Sequence, residues 1–280
     1  MKKIKILDLE NDGLNMAADG QFLYIRSRRT MYKYSLSDMS LMAQNVIFEK
    51  DGKARGFSVC DKFVFLTDFC DLYILYKYDL QIAEVIRLGV DLSSDLGAVR
   101  FDENKAYICI RNGKMAAMDI AAKAVKKFEI SDSSSWDHYV VENRIYTGTV
   151  KGELIETSTA DMRLVRKIEL CKKNIYSVVY CDGMIYTASQ DMTIKVVDSK
   201  SFETVGVAQK AVKGMAKILG LYKNLLVVAD SNQISIWDKQ TLQLNDRFEF
   251  PTGQFNKGAL LHEGRLLGSD FQSIYSMVLE

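Results

Sequence analysis

The sequence predicts an all-β fold, a seven-bladed β-propeller of four-stranded antiparallel blades, on three observations. Short strand-like runs recur about every 40 residues, the period of propeller blades. Most of these runs end in a small side chain that accepts hydrogen bonds, as a turn requires. The N-terminal residues supply a strand that the last repeat lacks.

The first apolar residues of the seven runs are Phe22, Phe63, Ala106, Ile145, Ile185, Leu225 and Leu266, spaced by 41, 43, 39, 40, 40 and 41 residues. Further along each run lie Tyr34, Tyr78, Met118, Thr157, Val197, Trp237 and Met277 as equivalent positions. They fall 12 residues after the first apolar residue, except in the second repeat, where the spacing is 15, and the last, where it is 11. The longer spacing predicts an extended turn within Asp68–Asp79. The residues that follow are Ser35, Asp79, Asp119, Ser158, Asp198, Asp238 and Val278.

Each repeat holds four candidate strands. An apolar inner strand, such as Ile175–Tyr180, precedes the anchor strand; the Trp237-type strand and a more polar fourth strand, such as Leu164–Leu170, follow. Apolar density falls along this order, which predicts an inner strand at a buried axis and a fourth strand at the rim. The seventh repeat ends after its third strand. Lys3–Asp8 is expected to pair with Ile274–Val278, closing the ring and covering two sheet edges, so that residues 1–280 form one propeller.

The block Tyr186–Ser201 resembles the WD-repeat family of propellers at Ser189, Asp191, Thr193, Ile194, Lys195 and Asp198, with Val197 where the family has Trp. Gln233–Asp238 resembles the end of the same block. The family's Gly-His pair is missing from nearly every repeat, and Trp-Asp occurs once, so a quinoprotein-like propeller is the near alternative. The resemblance implies a binding platform without catalytic activity.

Composition narrows the function classes. Lysine and arginine number 37 against 36 acidic residues, so no global charge draws the chain to nucleic acid or membrane. The five cysteines show no paired spacing and are expected to be reduced, in a cytoplasmic protein. No signal-length apolar run or membrane span is present in the sequence. Two histidines, His138 and His262, occupy what read as equivalent places in repeats four and seven. With no spaced acidic or cysteine partners, neither a metal nor a cofactor is expected, and no nucleophile, phosphate-loop or dinucleotide motif occurs.

Strand alternation places the inter-blade loops and the second-to-third-strand turns on one face, which we call the loop face. It should carry Arg26, Arg28, Arg29, Arg111, Lys53, Arg55, Lys172, Lys173, Lys213 and Lys257, with Trp136, His138 and Phe255 as aromatic contacts. Asp91, Asp95, Asp132 and Asp137 form an acidic sector. Trp136 reads as an exposed anchor or as packing over the channel. The expected function is a non-catalytic scaffold or adaptor for a protein or peptide, including acidic or phosphorylated ones. The alternative is an enzyme or small-molecule sensor with its site in the central channel.

Overall fold

The computed structural model describes residues 4–8, 15–48, 56–88, 96–102, 104–230, 233–249, 258–269 and 273–279. Strand β1 (Ile4–Asp8) comes first. Blade one is β2 (Asn15–Asp19), β3 (Phe22–Ser27), β4 (Thr30–Ser35) and β5 (Leu41–Val46). Blade two is β6 (Phe57–Val59), β7 (Phe63–Asp68), β8 (Asp71–Tyr76) and β9 (Ile82–Arg87). Blade three is β10 (Leu96–Asp102), β11 (Lys105–Ile110), β12 (Lys114–Asp119) and β13 (Val125–Glu129). Blade four is β14 (Ser135–Val141), β15 (Arg144–Thr149), β16 (Glu153–Ser158) and β17 (Leu164–Glu169). Blade five is β18 (Ile175–Cys181), β19 (Met184–Ser189), β20 (Ile194–Asp198) and β21 (Thr204–Ala208). Blade six is β22 (Lys217–Tyr222), β23 (Leu225–Ala229), β24 (Gln233–Asp238) and β25 (Leu244–Glu249). Blade seven is β26 (Ala259–His262), β27 (Arg265–Ser269) and β28 (Ser273–Val278), with β1 outermost. All seven sheets are antiparallel and four-stranded, so the chain is a seven-bladed β-propeller.

Strand pairing sharpens the repeat. Leu23, Val64, Ala106, Ile145, Ile185, Leu226 and Leu266 face Tyr34, Leu75, Met118, Thr157, Val197, Trp237 and Met277. The equivalent of Trp237 in blade two is therefore Leu75, and Tyr78 lies beyond the strand. No long turn exists within Asp68–Asp79: only Phe69 and Cys70 separate β7 from β8. Burial also departs from the expected gradient. The second and third strands are the most enclosed, as in β15 and β16, whereas β10, β14 and β18 are half-exposed in their second halves. The fourth strands alternate at the rim, as in β5 and β17.

Buried apolar side chains of the described residues gather into seven clusters, one between each pair of neighbouring blades. Trp237 belongs to the cluster between blades five and six, and its indole N–H donates to Ser235 Oγ at 2.8 Å. Each fully buried Leu, Ile or Phe contributes roughly 1.5–3 kcal/mol.

The turns from third to fourth strand share one construction. Met39, Leu80, Lys123, Met162, Phe202 and Leu242 all have left-handed backbones (φ 54° to 63°). Five of them donate N–H to the carbonyl four residues earlier, as Phe202 does to Asp198 at 2.8 Å. A carboxylate caps each turn: Asp119, Asp198 and Asp238 at its first residue, Asp38, Asp79 and Asp161 three residues in. Leu80, Met162, Phe202 and Leu242 bury their side chains in inter-blade clusters, which offsets the cost of left-handed backbone at a non-glycine residue.

Strand β1 pairs with β28 through Ile4–Ser276, Lys5–Tyr275, Leu7–Ile274 and Asp8–Ser273. Ile6 and Leu7 pack on the cluster between blades seven and one. Removing residues 1–8 exposes the β28 edge and part of that cluster. The melting temperature should fall by roughly 10 °C, several kcal/mol at about 2–4 °C each for a chain near this size. A calorimetric scan with an unshifted midpoint would show that β1 contributes nothing to closure.

Candidate functional site

The loop face is built by a repeated tie. In five blades a residue just beyond the fourth strand donates its backbone N–H to the turn between second and third strands: Ile47 to Arg29, Leu88 to Cys70, Ile130 to Gly113, Leu170 to Gly152 and Ala211 to Met192. Glycine is required at Gly152: its φ is 84°, and a Cβ there would lie 2.0 Å from the Cys171 carbonyl oxygen. Acidic side chains reinforce the tie. Asp191 Oδ2 accepts the Lys172 amide at 3.0 Å, and its Oδ1 accepts the Thr193 amide and hydroxyl at 3.1 and 2.6 Å. Burial would raise the Asp191 carboxyl, yet these bonds outweigh it and hold it below the usual range. Asp230 likewise accepts the Lys213 amide at 2.9 Å.

Several expected site residues are displayed here. Arg28, Arg29, Arg111, Lys172, Lys173 and Lys213 are exposed on these loops and turns. Arg29 also anchors itself, Nε donating to the Phe48 carbonyl at 2.8 Å. Lys53, Arg55, Phe255 and Lys257 lie outside the described residues, as do Asp91 and Asp95.

Others need correction. Arg26 is only 2% exposed, with its guanidinium 5.3 Å from the Phe48 ring centroid, so it is an interior residue. A position near the end of a strand looks exposed in sequence, but Phe48, just beyond the fourth strand of the same blade, packs against it. Trp136 is not in an exposed loop; it lies in β14, half-buried, with the Arg111 guanidinium 5.7 Å above its ring. Asp132 pairs with Lys151 at 2.7 Å, and Asp137 is buried, so neither extends a free acidic sector.

His138 is fully buried. Its Nε2–H donates to the Tyr107 carbonyl at 3.1 Å, which leaves Nδ1 to accept the Cys109 thiol at 3.0 Å. Burial, then repulsion from Arg100, pushes the imidazole down to about 3. Burial raises the Cys109 thiol to about 12. The pair is thus neutral and locked between blades three and four. His262 is not its equivalent: it faces Arg265 at the far end of β26, whereas His138 faces Thr147 in mid-strand.

The axis carries a network absent from the sequence expectations. Arg100 Nη2 meets Asp137 Oδ1 at 2.7 Å, and Asp137 Oδ2 accepts Ser177 Oγ at 3.0 Å and the Val178 amide at 3.3 Å. One carboxylate thereby clasps blades three, four and five. Lys217 stands on β22 facing the same axis; burial first, and Arg100 second, lowers its ammonium, and Asp137 opposes them. Asp137, Ser177 and Lys217 are spaced by 40 residues, the signal that could have grouped them. Among the described residues, no group of three His, Cys, Asp or Glu side chains is placed to hold a metal ion.

No family model matches the chain, and no curated protein does. Matching solved structures number 1736 chains, far too many for the fold to specify a function. One is the crystal structure of the computationally designed Ika8 protein, at 12% identity and a TM-score of 0.73, covering 98% of this chain and 99% of that one. At that identity the likeness concerns the propeller fold alone.

The enclosed histidine gives a pH test. Above pH 6.5, its ordinary value, His138 is neutral whether folded or unfolded. Below it the unfolded chain binds a proton that the folded chain refuses until about pH 3. Stability therefore falls as pH drops through this window, by up to about 1.4 kcal/mol per pH unit. His138→Gln keeps the donor to Tyr107 and should remove this slope between pH 6.5 and 5 in urea unfolding. Parallel slopes for both proteins would refute the buried neutral state.

Proposed function

We propose that this chain is a non-catalytic interaction scaffold that takes a protein or peptide partner on its loop face, through carboxylates or phosphates of that partner. One asymmetry carries the reading. The acidic side chains of this face are used internally: Asp132 by Lys151, Asp191 and Asp230 by backbone amides. Lys172, Lys173 and Lys210 are exposed and form no ion pair among the described residues. Arg28 and Arg111 add planar forks suited to carboxylate or phosphate. The backbone ties hold these cations on rigid turns, which lowers the ordering cost of binding.

The rival reading, an enzyme or small-molecule sensor at the axis, has Arg100 and Lys217 in its favour. The groups its chemistry would use are already engaged: Asp137 by Arg100 and Ser177, His138 by Tyr107 and Cys109. Kinship with WD-repeat propellers is part of the same proposal. It rests on Ser189, Asp191 and Thr193, which build the turn that catches Lys172, and on Trp237 with Asp238. The five cysteines, none of them in a disulfide, favour a cytoplasmic setting.

The test is affinity capture from an extract of the native cells. A triple variant, Arg28→Glu with Arg111→Glu and Lys173→Glu, should recover the wild-type partner at least about tenfold less well. All three side chains are exposed, so its melting temperature should hold. Full recovery by the folded variant would remove the loop face from consideration.

A further inference from the structure

The opposite face is formed by the turns between first and second strands and between third and fourth. In all seven blades the residue after the third strand ties these turns together by its backbone N–H, as Leu36 does to the Gln21 carbonyl at 2.9 Å and Lys239 to the Asn224 carbonyl at 2.8 Å. Between blades seven and one this face opens into a cavity of about 490 Å³, the size of a small-molecule site.

The internal repeat shows how such a junction is filled elsewhere. At the junction of blades five and six, Lys239 reaches back to the preceding blade: its Nζ meets Asp182 Oδ2 at 2.9 Å. Asp182 and Glu263 are equivalent residues. Each is the first residue after the inner strand of its blade, each has a left-handed backbone (φ 52° and 48°), and each precedes a left-handed glycine, Gly183 and Gly264. Leu36 is in turn the equivalent of Lys239, the first residue after a third strand. Leu36 and Glu263 both line the cavity. Blades seven and one therefore keep the carboxylate of the Lys239–Asp182 pair and put an apolar side chain where its lysine would be. An ammonium brought by a ligand matches the place that Lys239 Nζ takes in blades five and six.

The rest of the lining defines the ligand further. Arg265 stands two residues from Glu263 on the same hairpin, and both are exposed. A guanidinium there suits a carboxylate. Phe22, Leu36 and Leu267 supply apolar surface. The charge of the lining is balanced, with one carboxylate, one guanidinium and the His262 imidazole, which favours a ligand carrying both signs over a simple anion or cation. The hairpin is held from its other side by blade six. A Cβ on Gly264 would lie 2.4 Å from Tyr222 Cζ, so the glycine lets that ring pack against the turn. A site fixed in this way loses little freedom when it binds.

We propose that this cavity binds a small zwitterionic amino acid with an apolar side chain. Its α-ammonium pairs with Glu263, its α-carboxylate with Arg265, and its side chain packs on Phe22, Leu36 and Leu267. The site lies on the face opposite the loop face, so the inference stands whether or not the loop-face reading does.

Isothermal titration calorimetry on the full chain tests it with leucine, with isopentylamine, which lacks the carboxylate, and with 4-methylpentanoate, which lacks the ammonium. Leucine should bind with a Kd below about 1 mM, and each analogue at least about tenfold more weakly. Glu263→Gln and Arg265→Gln should each weaken leucine about tenfold. Leu36→Lys supplies the lysine that blades two and six carry at this position and should abolish binding while the melting temperature holds. The Arg28, Arg111 and Lys173 triple variant should bind leucine as the wild type does, which separates this site from the loop face. Four results overturn the proposal: a leucine Kd above about 1 mM, an analogue that binds as tightly as leucine, leucine binding indifferent to Leu36→Lys and to both charge substitutions, or its loss in the triple variant. Glu263 and Arg265 are exposed, so their variants retain the fold, checked by their melting temperatures.

Discussion

Everything in this molecule depends on blades packing face to face around a closed ring. Each sheet is too thin to bury its own apolar faces, so each side chain cluster is shared by two neighbours. Seven such clusters make one cyclic core, and losing any of them opens two faces at once. That is why the second and third strands are nearly all buried while the first and fourth are not. The pairing of β1 with β28 belongs to the same constraint, because it completes the sheet that blade one packs against.

The polar groups follow from that packing. Turns at one face are fixed by Asp caps and by left-handed residues whose side chains plug the inter-blade clusters, so turn geometry and core packing are one device. At the other face, amides of the inter-blade loops are caught by turn carbonyls and by Asp191 and Asp230. At the axis, Asp137 joins three blades. Carboxylates are therefore mostly spent on architecture, whereas many lysines are not. A chain with near-zero net charge thus presents exposed cations on its loop face.

The two surfaces differ in kind. The loop face offers scattered cations on rigid turns, suited to an extended acidic contact. The opposite face has, between blades one and two, a groove of about 440 Å³ with an aromatic wall of Phe63, Tyr76 and Tyr78. His138 and Cys109, which would attract attention as a reactive pair, are instead a neutral packing element, because desolvation opposes charge on either.

Period and turn chemistry were legible in the sequence because both are local. A strand of about six residues recurs in every blade, and where the third strand ends in Asp, at Asp119, Asp198 and Asp238, that Asp caps the turn. Exposure was not legible. Arg26 and His138 sit in polar-looking stretches, but Arg26 packs against Phe48 and His138 is enclosed by Tyr107 and Cys109 of the neighbouring blade, contacts distant in sequence. By spacing Tyr78 reads as a strand residue, but spacing alone cannot fix a register; only the pairing of Val64 with Leu75 does. The sequence by itself determined seven repeats, their turns and the all-β class. Which cations face solvent, which carboxylates are consumed and where a groove opens were decided only when blades met, because those properties belong to contacts between repeats and not to any repeat alone.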